Sequence, residues 1–188
     1  MEDKIKISAV IGIDPGANGG IAVYQPGYNV KVYKMPKDIA DLRDLLMYYA
    51  GIAKPIVFLE KLSVRPDDIQ IDSGNRAANM GKLFRIQNMM ANYEHLKALI
   101  EVAEIPYVMV HPASWQSKLK LRLHGQHEEK ADRKRRFREV AAKLYPGVNV
   151  TLWNSDALLI MHFGRWALVN DQKWVKANLP QREHDKLF

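Results

Sequence analysis

The feature that most constrains this sequence is a pair of short apolar runs that each end in an acid. Ile7 to Asp14 reads ISAVIGID and stops at a Pro-Gly turn; Pro55 to Glu60 reads PIVFLE. Continuous apolar runs of this length, rich in β-branched residues, are the pattern of strands covered on both faces. An acid closing such a strand is expensive unless it is paired or bound to a cation.

The intervening pattern brings the two acids together. Gly19 to Tyr24 and Asn29 to Met35, separated by Pro26-Gly27, extend the first run into an antiparallel three-strand meander. Ile39, Leu42, Leu45, Leu46 and Tyr49 then share one face of a helical period. After the Pro55 to Glu60 strand, Lys61 to Asn79 lacks periodicity and reads as a loop. A long helix follows from about Ala77 to Ala103, with Met80, Leu83, Phe84, Met90, Leu96, Leu99, Ile100 and Ala103 near one stripe. Ile105 to His111 is a further strand, Pro112 to Lys118 a short helix and Leu119 to His127 a loop. Glu129 to Leu144 is a basic helix stopped by Pro146-Gly147, Ser155 to Val169 a final helix, and the chain from about 171 to 188 a tail.

A meander followed by two helical crossovers predicts an α/β chain with a mixed five-stranded sheet, because helical connections force parallel neighbours. With the first strand central and the fourth beside it, Asp14 and Glu60 end at the same edge, where two like charges repel unless a cation lies between them. Asp156 opens the last helix in the segment NSDALLIM. The apolar stretch Ala157 to Met161 implies that this helix packs tightly on the sheet, which holds Asp156 near the strand ends.

Composition narrows the chemistry. The length of 188 residues, 47% hydrophobic, fits one domain over 1–188. The chain has no cysteine, so disulfides, thiolate metal sites and cysteine nucleophiles are excluded, and any metal is held by oxygen or imidazole. The apolar part of the N-terminal segment is too short for a signal peptide core or a membrane span, and a cytoplasmic protein is expected. A net charge of +7 points to a polyanionic partner. Ten of the 28 basic residues fall between Lys118 and Lys143: Lys118, Lys120, Arg122, Lys130, Arg133, Lys134, Arg135, Arg136, Arg138 and Lys143. Only Glu128, Glu129, Asp132 and Glu139 are interspersed, which favours a phosphate-binding surface.

Gly12-Ile13-Asp14-Pro15-Gly16, Phe58-Leu59-Glu60 and Asp156-Ala157-Leu158-Leu159-Ile160, in that order, resemble the motifs of RuvC-type Holliday junction resolvases, particularly the small phage-borne members. The resemblance spans residue 7 to about 168 and includes Pro112-Ala113-Ser114-Trp115-Gln116, similar to the family's segment of Pro, any two residues, an apolar residue or Trp, and Lys. It implies a ribonuclease H-like fold, a homodimer, two Mg²⁺ ions replaceable by Mn²⁺, and paired nicking of four-way DNA junctions in a bacterial cell or phage-infected host. Asp14 would bridge the ions, with Glu60 holding one and Asp156 the other. The loop after Glu60 is where the family places residues that enter the junction, here Leu62 and Arg65. Gly16, Lys120, Lys130, Arg133, Arg135, Arg136 and Arg138 would contact DNA.

The sequence departs from the family pattern in two places. The fourth ligand, an acid or histidine three or four residues before the last Asp, falls on Trp153 and Leu152; the replacements are Asn154, His162, His184 or Asp185. The family's catalytic lysine falls on Gln116, which leaves its role open among Lys118, Lys130, Arg133 and Lys134. The resemblance also predicts dimerisation through the long helix, where Met80, Met89, Met90 and Tyr93 suggest a second apolar face. Two other readings compete. A sugar-kinase or actin-like ATPase shares the first-strand turn but needs two such domains, and a non-catalytic junction binder is consistent with Trp153.

Overall fold

The structure is a computed structural model that describes residues 7–62, 64, 76–123 and 128–180. The meander comprises β1 (Ala9–Asp14), β2 (Gly20–Tyr24) and β3 (Lys31–Lys34); α1 (Ile39–Ile52) crosses to β4 (Pro55–Glu60), and α2 (Arg76–Val102) to β5 (Tyr107–Val110). Four helices follow: α3 (Pro112–Lys118), α4 (Lys130–Leu144), α5 (Ser155–Asn170) and α6 (Gln172–Asn178). The sheet order is β3-β2-β1-β4-β5, with β1–β2 and β2–β3 antiparallel and β1–β4 and β4–β5 parallel. This is the expected α/β architecture, a mixed five-stranded sheet with an antiparallel three-strand meander flanked by helices. Among the described residues, no helix is long and apolar enough to cross a membrane.

Strand alternation sends side chains to two separate cores. Ile11, Ile13, Val57 and Leu59 pack with Leu42, Leu46 and Tyr49 of α1 and with Tyr93, Leu96 and Ile100 of α2. Val10, Ile56, Phe58 and Val108 face the opposite way, toward Trp115, Phe137 and the apolar body of α5. Every residue from Ser155 to Met161 is buried, so α5 is enclosed on all sides over its first two turns. Each fully buried Ile, Leu or Phe contributes roughly 1.5–3 kcal/mol, and the central strands β1 and β4 supply such residues to both cores.

Gly12 is the point of closest approach between α5 and the sheet. A Cβ at this position would lie 2.3 Å from the Met161 amide nitrogen and 2.5 Å from the Ala157 carbonyl oxygen, both backbone atoms. Only a residue without a side chain lets α5 sit this low on β1.

The structure departs from the sequence expectations in two elements. The segment after 171 carries α6, with Val175 buried, so the helix beginning at Ser155 is followed by another. The stripe expected along α2 covers the sheet only from Tyr93 onward. From Ala78 to Asn92 no side chain is buried, and Met80, Leu83 and Phe84 are exposed. Helix periodicity identifies a stripe but cannot say where along it the sheet ends.

Gly12→Ala is expected to destabilise the protein by about 3 kcal/mol or more, because backbone on the facing helix cannot yield as a side chain can. Urea unfolding measures this, and a loss below about 1 kcal/mol would show that α5 can lift off β1 cheaply.

Candidate active site

Asp14 and Glu60 occupy the last positions of β1 and β4. The parallel register pairs Gly12 with Phe58 and Ile13 with Leu59, so the two acids are the next pair in line. Alternation places both on the α5 face, together with Gly12 and Phe58. The first turn of α5 then lowers Asp156 onto the same edge, where it is 7% exposed.

Each carboxylate is held by a neighbour. Asp14 Oδ1 accepts the Gly16 amide at 3.1 Å. The turn can fold back this closely because Gly19 lacks a side chain: a Cβ there would lie 2.2 Å from the Asp14 carbonyl oxygen and 2.8 Å from its Cγ. Glu60 Oε1 accepts the indole N–H of the fully buried Trp115 at 2.9 Å. Asp156 Oδ1 accepts the Ser155 hydroxyl at 3.0 Å, and its Oδ2 accepts the Lys134 ammonium at 2.5 Å.

Asp14 and Glu60 resist ionisation together. Burial pushes the Asp14 carboxyl above its ordinary value and the charge of Asp156 adds to the effect; the Gly16 amide and Lys134 oppose it. Glu60 is pushed up to about 7, first by burial and then by Asp14, while the Trp115 hydrogen bond pulls downward. Burial disfavours the charge of Lys134, yet Asp156, Asp14 and Glu60 together hold its pKa above the usual lysine value. Perturbed acids of this kind, clustered at strand ends, are a mark of functional sites.

The basic residues divide among different tasks. Lys134 is brought to the acids, whereas Lys118 lies over the Trp166 ring, 4.1 Å from its centroid, beside Phe163 and Trp174. Arg136 makes a two-pronged ion pair with Glu128 and donates to the Leu121 carbonyl, which ties down both ends of the loop rather than presenting a free cation to DNA. Arg135 pairs with Asp132 at 3.3 Å. Lys120, Lys130, Arg133 and Arg138 are exposed, and Lys130 and Arg138 lie one turn to either side of Lys134 on the same stripe of α4. Gly16 is at the site through its amide. Leu62 packs against the core beneath α1 and α2 instead of projecting outward. Arg65 lies outside the described residues.

The replacements for a fourth ligand fare differently. Asn154 is fully buried and bound to its own loop, accepting from the Thr151 amide at 2.8 Å and donating to the Asn149 carbonyl at 3.0 Å. His162 Nδ1 meets the Tyr145 hydroxyl at 2.9 Å, and burial, then Arg165, lower its pKa. His184 and Asp185 lie outside the described residues. Trp153, at the fourth-ligand position, rests its ring against Gly20. Sequence reasoning missed two supporting residues, Trp115 and Ser155. A buried indole needs a partner for its N–H, which was the available signal for Trp115; Ser155 offered no such signal at the start of its helix, and its hydroxyl holds Asp156.

The donors fit a hard divalent cation in kind, being carboxylate oxygens that repel one another and already draw an ammonium. Among the described residues, however, no three His, Cys, Asp or Glu side chains are gathered closely enough to hold an ion as they stand. No protein-family model matches the sequence, and no curated protein matches it. The chain is similar to solved structures of RuvC. One is described as T. thermophilus RuvC in complex with Holliday junction substrate, 14% identical, covering 87% of this chain and 96% of that one, with a TM-score of 0.49. Another, Thermus thermophilus RuvC, is 14% identical and covers 91% of this chain and 98% of that one, with a TM-score of 0.48. The likeness is one of chain architecture, and the chemistry rests on the residues above.

The raised pKa of Glu60 sets a pH dependence. The folded state binds this proton more tightly than the unfolded state, so ionising Glu60 costs nothing below about pH 4.5 and costs progressively more as pH rises through about 7. Glu60→Gln removes the cost. In chelator, its stability relative to wild type should grow by about 3 kcal/mol across that window and then level off. A difference that stays constant with pH would show that Glu60 ionises freely.

Proposed function

We propose that this protein is a metal-dependent, structure-selective DNA endonuclease that resolves four-way junctions by paired nicks. The observation that carries the reading is the convergence of Asp14, Glu60 and Asp156 on one sheet face beside a basic helix. The ordered motif resemblance supports the same reaction. Asp14, Glu60 and Asp156 would hold two Mg²⁺ or Mn²⁺ ions. When bound, such ions lower the pKa of an attacking water and stabilise the leaving 3′ oxygen.

The chain's own residues orient this chemistry and bind the substrate. The Gly16 amide, the Trp115 indole and the Ser155 hydroxyl fix one oxygen of Asp14, Glu60 and Asp156 respectively. Such partners typically matter ten- to a hundredfold, roughly, in metal affinity or rate. Lys130, Arg133 and Arg138 provide an exposed cationic path along α4 for the phosphate backbone. A second reading, a junction binder without activity, is favoured by one observation: the fourth-ligand position is occupied by Trp153, whose indole cannot ligate and which is packed on Gly20.

Asp14→Asn, Glu60→Gln and Asp156→Asn should each reduce cleavage of a synthetic four-way junction by roughly three orders of magnitude while junction binding persists. Retained cleavage in Asp14→Asn overturns the assignment. Wild-type protein that binds the junction but never nicks it in Mg²⁺ or Mn²⁺ establishes the second reading.

A four-way junction is two-fold symmetric, so paired nicks are most simply made by a two-fold dimer. The uncovered first half of α2 supports a dimer surface, with Met80 61% and Phe84 64% exposed one turn apart. The interface expected at Tyr93 moves toward the helix start, since Tyr93 is buried against its own sheet. Sedimentation should give twice 21.6 kDa, and Met80→Glu with Phe84→Glu should return it to 21.6 kDa. A wild-type monomer, free and on junction DNA, refutes the dimer.

A further inference from the structure

Lys134 is not a free surface arm. Its helix is anchored through the buried Phe137 and Ala141, and its side chain is 32% exposed. The ammonium donates to Asp156 Oδ2, while the Ser155 hydroxyl donates to Oδ1, so both oxygens of this carboxylate already have a donor. The Asp156 side chain is only 10% exposed, which leaves little room for a second cation beside the first. A divalent ion approaching Asp156 therefore meets a carboxylate whose counter-ion is in place.

We propose that Lys134 is the resident counter-ion of Asp156, and that a divalent metal binds there only by displacing the Lys134 ammonium. The proposal rests on Asp14, Glu60 and Asp156 being metal ligands. It explains how three mutually repelling acids remain folded without a metal: one positive charge, supplied by α4, partly neutralises them. Once displaced, the ammonium stays on the α4 stripe that carries Lys130 and Arg138, where a DNA phosphate is the natural new partner.

Calorimetric titration of the full chain with Mn²⁺ tests the displacement. Removing the competing charge in Lys134→Met should tighten Mn²⁺ binding by on the order of tenfold, whereas Lys134→Arg should stay near wild type. Lys134→Gln provides a second neutral variant should Met disturb the packing. Metal-free Lys134→Met should melt below wild type, and saturating Mn²⁺ should raise its Tm by more degrees than it raises the wild-type Tm. Amine labelling read by mass spectrometry reports the movement directly in the wild-type protein. Lys134 should label slowly relative to Lys130 in chelator and faster once Mn²⁺ is added. Mn²⁺ binding in the neutral variants no tighter than in wild type, or Lys134 labelling that does not rise with Mn²⁺, overturns the proposal. Wild-type protein that binds Mn²⁺ normally alongside such variants removes only the counter-ion role. Failure of both wild type and neutral variants to bind Mn²⁺ removes the metal-site reading as well.

Discussion

The backbone contact between β1 and α5 at Gly12 is the constraint on which the site depends. With the Met161 amide where a Cβ would otherwise stand, the helix lies directly on the central strand, and the height of its first turn is set. That height determines whether Asp156 reaches Asp14 and Glu60 or remains a helix-capping acid above them. Helix α4 packs in turn through Phe137 and Ala141 into the core that α5 dominates, so the position of Lys134 follows from the same contact. A single missing side chain in the middle of β1 thus places residues from three distant parts of the chain.

The electrostatic arrangement runs against stability, which is the usual condition of a functional site. Burial and mutual repulsion raise Asp14 and Glu60 together, and the protein offsets the cost locally. One hydrogen-bond donor lies on each acid, and an ammonium lies on the third. The Trp115 indole is informative because its own burial would be costly without the Glu60 oxygen, so each group satisfies the other. A carboxylate fixed by a buried aromatic loses less freedom when it takes up a ligand than one that must first be ordered.

Much of this was legible in the sequence because the decisive pattern was binary. Apolar runs closed by acids identified β1 and β4, the Pro-Gly and Gly-rich turns identified the meander, and helical connections forced the parallel pairing observed. Asp14, Glu60 and Asp156 were found together for the same reason. What the sequence could not supply was the extent of tertiary cover. The stripe of α2 looks continuous from Met80 to Ala103, yet the sheet covers it only from Tyr93, since strand length sets where a helix runs out of surface to bury. Helix α6 is short and polar, and its one buried valine leaves no periodic signal. Leu62 is apolar on a loop, which fits both a projecting wedge and a core residue; only the packing decides for the core.

The basic run shows why charge counting identifies a class of partner but not its contacts. Between Lys118 and Arg138 the cations differ in what surrounds them, and their energetic roles differ accordingly. Arg136 meets a carboxylate with two parallel bonds at 2.8 and 2.7 Å, a geometry worth more as a loop clasp than as a loose phosphate contact. Lys118 covers an aromatic face, and Lys134 faces inward to the acids. Lys130, Arg133, Arg138 and Lys143 are the further exposed cations of α4, and Arg133 also acts on Glu128. Because Lys130 and Arg138 flank Lys134 by one helical turn on either side, the stripe that would track a phosphate backbone passes directly over the acids. The same helical period that buries Phe137 and Ala141 therefore aligns an outer row of charge with Lys134, the member of that row that meets Asp156.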